Sequence, residues 1–152
     1  MEKVFLIISL IEPLSKALKV SIIELMNGKY IVNNNKMCDM LKTNFYVCPI
    51  CENVIYSIGS SIVSCCGLVL PKLEAESSNQ INIERIENEY HIKVKNEMTK
   101  EHHISFISYV SSDRVNLVKL YPEQNPEARF DIVGHGIIYV YCNKDGLFKK
   151  EI

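Results

Sequence analysis

Tyr46-Val47-Cys48-Pro49-Ile50-Cys51, followed further on by Ser64-Cys65-Cys66-Gly67, is the stretch that decides how this chain is read. Tetrahedral thiolate coordination needs four sulfurs converging on one ion. A C-x2-C turn presents two, with intervening backbone N–H groups free to hydrogen-bond to the sulfurs, and a second turn must bring the other two. Cys65-Cys66 is that second pair. Gly59 fits a hairpin between the pairs, and Gly67 relieves the chain just after the second. Val54, Tyr56, Ile58 and Ile62 predict a small buried face on the connecting hairpin. A redox dithiol is the rival reading of C-x2-C, but the thioredoxin-like βαβ context it needs is absent. A block this short has no core of its own, so metal binding and folding are expected to be coupled. Cys48, Cys51, Cys65 and Cys66 therefore read as metal ligands, and thiolates alone leave iron and zinc both open.

Downstream, residues 80–152 are β in pattern. Ile81/Ile83 and Ile92/Val94 alternate with polar neighbours at period two. Residues 104–110, 115–120, 128–133, 137–142 and 147–152 continue as strand candidates. Turn residues fall between them at Glu87-Asn88-Glu89, Ser112-Asp113, residues 122–126, 134–136 and 143–146. Seven short strands at this spacing predict an immunoglobulin-like antiparallel sandwich.

Upstream, residues 9–27 are helical in pattern. Ser9-x-x-Glu12 is a capping-box signature with Pro13 in the first turn. Ser21-x-x-Glu24 is a second one, opening a short helix that Gly28 stops. Asn33-Asn34-Asn35 looks like a linker. The class is thus mainly β with a small α N-terminus.

Composition agrees with a folded chain. Of 152 residues, 47% are hydrophobic and 23% charged, which is globular usage. Seventeen basic against eighteen acidic residues leave a net charge of -1, against a nucleic-acid binder working through a broad basic surface. No apolar run is long enough to span a membrane. One lysine precedes the apolar run 4–11, which Glu12 and Pro13 interrupt, so a secretory signal is not expected. A cytoplasmic protein follows, and there paired cysteines read as metal ligands before disulfides. Cys38 has no partner nearby and receives no role.

The cysteine block closely resembles the desulforedoxin-type, rubredoxin-like knuckle, in which the adjacent cysteine pair is distinctive. The β block resembles the iron domain of desulfoferrodoxins and superoxide reductases, through residues 98–104, Lys119-Leu120-Tyr121-Pro122, Pro126-Glu127-Ala128-Arg129-Phe130 and Tyr141-Cys142-Asn143-Lys144-Asp145-Gly146. The resemblance covers residues 45–152. It implies iron at the four cysteines, with zinc the alternative. It also implies a second iron held by four equatorial histidines and one axial cysteine, with the sixth position open to superoxide. Carried over residue by residue, Cys142 matches the axial thiolate and His102 one equatorial histidine, making them the catalytic candidates. Asn96, Asp145 and, by a less secure register, Asn79 stand where the other histidines belong, and Ser78 where a lysine often precedes the first of them. Three of four equatorial ligands are thus expected to be replaced, which puts a second iron and superoxide reduction in doubt. His103 should point away from His102 along a strand. His91 reads as a surface or edge residue, and His135 as a turn residue.

Residues 9–28 resemble the last two helices of a phage-repressor-like helix-turn-helix domain, some of which precede a desulfoferrodoxin-like domain. The recognition helix comes before these two in that fold, so DNA binding is not expected here. The expected domains are a helical remnant at 1–30, a linker at 31–44, the knuckle at 45–73 and the sandwich at 78–152. The expected partners are an electron donor, such as a rubredoxin-like protein or a reductase, and a second copy in a homodimer. Three functions follow: a redox or sensing module using the four cysteines, a working superoxide reductase, or a zinc-stapled remnant of a regulator.

Overall fold

The computed structural model describes residues 2–18, 22–27 and 39–152. The chain divides into two compact units, residues 1–37 and 38–152. The first holds helices α1 (Glu2–Leu18) and α2 (Ile22–Asn27). The helix pair is present, but α1 begins upstream of the predicted cap. The apolar run ahead of Ser9 contains no breaker, so the helix propagates through it. Ser9 and Pro13 then lie inside α1, where Pro13 has no N–H to give the carbonyl of Ser9. Glu12 pairs instead with Lys16 one turn on, at 2.8 Å and exposed on both sides, a contact worth a few tenths of a kcal/mol (~0.3–0.5). The predicted turn at 19–21 with its Ser21 cap, Gly28, the Asn33–Asn35 linker and Cys38 lie outside the described residues. No helix among the described residues is long and apolar enough to cross a membrane.

The second unit opens with a 3-10 turn, Met40–Lys42, capped by Asp39, whose side chain accepts from the Leu41 N–H at 3.0 Å. Strand β1 (Thr43–Val47) follows directly, so ordered structure reaches into the stretch expected to be a 31–44 linker. Next come β2 (Val54–Ile58), β3 (Val63–Cys65), β4 (Leu68–Leu70) and β5 (Ala75–Ser77). The seven predicted strands follow as β6 (Ile81–Ile86), β7 (Glu89–Val94), β8 (Ile104–Ser111), β9 (Val115–Lys119), β10 (Glu127–Asp131), β11 (Gly136–Cys142) and β12 (Gly146–Glu151). One sheet has the order β10-β7-β6 and the other β5-β12-β11-β8-β9. The expected seven-stranded antiparallel sandwich is therefore eight-stranded. Its extra strand β5 runs parallel to β12, with Ala75 opposite Leu147 and Ser77 opposite Lys149. Three residues, Ala-Glu-Ser, carry too little alternation to be read in advance. They also move the start of this layer ahead of residue 78.

The sheets pack through Ile81, Ile92, Ala128 and Phe130 on one side and Ile104, Ile107, Tyr109, Ile138 and Val140 on the other. The far face of the larger sheet is covered as well. Phe45 of β1 is wholly buried there, with ring centroids 5.2 Å from Phe106 and 5.1 Å from Tyr139. This is why every residue of β8 is buried. The cysteine block also has a small cluster of its own, built from Tyr46, Cys48 and Leu70 with Ile55, Val63 and Cys65. It is thus anchored twice, by that cluster and by Phe45.

Gly136 opens β11 against β8. A Cβ there would meet the Val110 carbonyl oxygen and Tyr109 Cε2, each at 2.5 Å. The carbonyl belongs to the paired strand and cannot swing aside. Gly136→Ala is expected to cost about 1–3 kcal/mol. A thermal melt reads this directly, and an unchanged midpoint would contradict the close approach.

Candidate metal centres

The four cysteines lie in two hairpin turns. Cys48 and Cys51 fall between β1 and β2, which pair with each other. The Cys48 N–H donates to the Asn53 carbonyl at 3.0 Å, and the Glu52 N–H to the Cys48 carbonyl at 2.9 Å. Cys65 and Cys66 fall at the β3–β4 turn. Cys66 and Gly67 both have positive φ, 50° and 76°, the conformation a two-residue hairpin loop of the mirror-image type requires. Gly67 meets that need without steric cost. The predicted hairpin joining the two pairs is not formed, because β2 returns to β1. Its supposed buried face is also absent. Val54 is half-buried, while Tyr56, Ile58 and Ile62 are 45%, 37% and 78% exposed. Ile55, one residue out of that alternation, supplies the knuckle contact instead.

The sulfurs are at bonding spacing for an ion. Cys51 Sγ lies 3.6 Å from Cys65 Sγ, which lies 3.9 Å from Cys66 Sγ. All four fall within 4.8 Å of one another. A tetrahedron with metal–sulfur bonds of ~2.3 Å has edges of ~3.8 Å, so the residues fit a four-thiolate ion. Their acidities point the same way. Backbone N–H groups, first that of Cys51, pull the Cys48 thiol down to about 7. The sulfurs of Cys51, Cys48 and Cys65 push Cys66 up to about 12. At Cys65 the Asn53 side-chain N–H, 3.8 Å away, favours the thiolate, but the Cys51 sulfur, burial and the Cys48 sulfur outweigh it and raise the thiol. Thiols that oppose one another's ionisation can all ionise around a cation. Metal uptake by the metal-free chain at pH 7 is therefore expected to release protons, those of Cys65 and Cys66 among them. A pH indicator in weak buffer measures this, and uptake without release would remove those two from the ligand set.

A second cluster lies where β8 begins and β11 ends. Cys142 closes β11 at a register shift between Tyr141 and Cys142 and is buried, while Asp145 lies in the following turn and His102 just ahead of β8. His102 Nε2 is 2.9 Å from Asp145 Oδ2, and the Cys142 thiol donates to the same oxygen at 3.3 Å. The three donor groups lie within 4.8 Å of one another. The His102 ring N–H holds the Asp145 carboxyl below the usual carboxylate range. Burial is the first cause pushing the Cys142 thiol up.

Asn96 is beside them, its Nδ2 3.4 Å from His102 Nε2 and 3.8 Å from Cys142 Sγ. Its oxygen accepts the Met98 N–H at 2.8 Å. Asn96 therefore offers the site a hydrogen-bond donor, not a ligand oxygen. Asn79 is exposed and absent from the cavity beside Cys142, which Ser78 and Gln80 line instead. Asn143 is a positioning residue that the sequence reading passed over. Its side chain accepts the His103 N–H at 2.9 Å and donates to the Glu101 carbonyl at 3.0 Å, tying the His102 loop to the Cys142 turn. An Asn inside a turn was the available signal.

The remaining histidines do not join. His91 is buried, with Nε2 3.1 Å from Glu127 Oε2. The expectation of an edge position fails because β7 is the middle strand of its sheet. His103 is buried with Nδ1 unpartnered and lies outside the donor cluster. His135 is exposed in the loop before Gly136. That puts it at the opposite end of β11 from Cys142, roughly 20 Å away at ~3.3 Å per residue. The chain has four histidines in all. The site residues therefore do not fit an iron held in a plane of four imidazoles.

Two thiolate-bearing turns on a β-sandwich, with a second cysteine-containing cluster at a sheet end, define a metal-binding β protein. No family model matches the chain. It is 44% identical over 59 residues to a desulfoferrodoxin of Clostridium acetobutylicum, a match covering 39% of this chain and 47% of that protein. The match thus spans about half the length of that relative. It is 26% identical over 129 residues to a desulfoferrodoxin homolog of Methanothermobacter thermautotrophicus, covering 72% of this chain and 99% of that one. Its fold matches the superoxide reductase from Treponema pallidum with a TM-score of 0.65 at 20% identity, over 72% of this chain and 98% of the other. The chain is thus similar in sequence to desulfoferrodoxins and shares its fold with a superoxide reductase. None of these relatives bears on the helix-turn-helix resemblance of residues 9–28.

Proposed function

We propose that the protein is an iron-binding redox module whose four-cysteine centre carries or senses single electrons, and whose second cluster does not sustain superoxide reduction. The observation that carries this reading is the contrast between the two clusters. Four sulfurs stand at tetrahedral spacing in one, and a single imidazole meets one thiol and one carboxylate in the other. Cys48, Cys51, Cys65 and Cys66 would hold the iron, which in that setting exchanges one electron between Fe(II) and Fe(III) with little change of geometry. The chain tunes the site through the N–H groups of Ile50 and Cys51 on the Cys48 sulfur and the Asn53 amide on Cys65. Cys51 and Cys66 are exposed, so the edge of the centre reaches solvent where an electron partner, such as a rubredoxin-like protein or a reductase, can approach. The names of the relatives keep superoxide reduction as the rival reading.

The test is superoxide consumption by iron-loaded protein in stopped flow, beside a redox titration of the same sample. The expected result is a reversible one-electron wave with superoxide decay no faster than in buffer. Catalysed decay would establish the rival. A sample that takes only zinc and shows no wave would leave the structural remnant.

A further inference from the structure

We infer that the second cluster is a site for a tetrahedral divalent cation of the zinc(II) class, held by His102 Nε2, Cys142 Sγ and the Asp145 carboxylate, with a water in the fourth position. This deepens the reading of the second cluster above and does not depend on which metal the four cysteines hold.

The donor set comes first. One imidazole, one thiolate and one carboxylate are the nitrogen, sulfur and oxygen ligands zinc takes. Three protein ligands with one open position are the arrangement of its reactive sites. Bonds of ~2.0–2.3 Å give such a tetrahedron edges of about 3.3–3.6 Å. The carboxylate oxygen already stands 2.9 Å from the imidazole nitrogen and 3.3 Å from the sulfur. Small adjustments therefore admit an ion.

The surroundings supply two further observations. Cys142 is 1% exposed, so this thiol is not available to an external electrophile. A sulfur buried against a carboxylate gains most from a cation between them. Beside Cys142 and Asp145 lies a cavity of about 20 Å³, reached also by Asn96, Gln80 and Ser78. About 10–15 Å³ suffices for one water, provided polar partners are present. The Asn96 amide nitrogen, turned inward by its bond to Met98, is placed to hold the Cys142 sulfur or that water. The four-imidazole plane that suits iron is missing, whereas the three donors present suffice for zinc.

The experiment counts ions on the full-length protein. Metal-free chain is dialysed against buffered zinc(II), and zinc per chain is measured for the native sequence, His102→Ala, Asp145→Ala and Cys51→Ser. Two ions are expected for the native chain. The first two variants should hold one each, with melting midpoints in the metal-free state close to native. Cobalt(II) provides the second readout. Its second equivalent should add sulfur-to-cobalt absorption about a quarter as intense as the first, one thiolate against four, and Asp145→Ala should abolish that increment. A single ion in the native chain, unchanged in Asp145→Ala, overturns the inference and leaves the four-cysteine centre standing. Two ions retained by both Asp145→Ala and His102→Ala overturn it as well. Loss of no ion in Cys51→Ser strikes the four-cysteine reading instead.

Discussion

Serine at position 48 empties the four-cysteine centre and melts the turns around it, while the sandwich stays folded. Cys48 is the wholly buried ligand of the four, inside the cluster with Tyr46 and Leu70. Its sulfur also accepts the backbone N–H groups of Cys51 and Ile50. A hydroxyl there offers a poor ligand and leaves those N–H groups a shorter, misplaced partner. Structural zinc in small modules contributes about 10–16 kcal/mol of apparent binding free energy, and that energy is folding energy. The paired segments here are only three to five residues long. Two-stranded hairpins of that size are marginal in water. Amide exchange in Cys48→Ser is expected to rise to near-unfolded rates from β2 to β4 and to stay slow in β8 and β11. Native protection throughout would show that the metal does not hold this block together.

Phe45→Ala is expected to cost about 3–5 kcal/mol, a large share of a domain's stability. The ring fills the space between Phe106 and Tyr139 on the outer face of the larger sheet, in a cluster with Val110 and Leu147. Alanine would leave a hole bounded by strands that are also packed on their other face, so collapse around it is limited. The same change loosens β1, which carries Cys48 at its end. Metal affinity should therefore fall along with the denaturation midpoint. Urea melts and zinc competition on one sample read both effects. A lower midpoint with unaltered metal affinity would mean that the two anchors of the cysteine block act independently.

The sequence shows some of this plainly and hides the rest for physical reasons. Seven strands were legible because short apolar segments, alternating at period two at Ile81/Ile83 and Ile92/Val94, fall between turn residues. The four ligands were legible because C-x2-C and C-C leave few other uses for thiols. What stayed hidden was mostly tertiary. The eighth strand, Ala75–Ser77, has no side-chain signature, since its place is set by hydrogen bonding to β12. The start of α1 was misread because a capping box marks a helix start only where the preceding residues stop being helical. Tyr56 and Ile58 were assigned inward and point outward, because a hairpin between the cysteine pairs was assumed and β2 instead returns to β1. At the second cluster, Cys142, His102, Asp145 and Asn96 were foreseen by register and do converge, whereas Asn79 does not. The orientation of the Asn96 amide follows from one hydrogen bond to Met98 that no sequence pattern shows.

The most direct test is metal content and visible absorption of protein purified without oxygen and then oxidised. One iron per chain with thiolate-to-Fe(III) bands, and no further band at longer wavelength, is the predicted result. Two irons per chain with an added long-wavelength band from an axial Cys142 thiolate would contradict it. So would a colourless protein holding zinc alone.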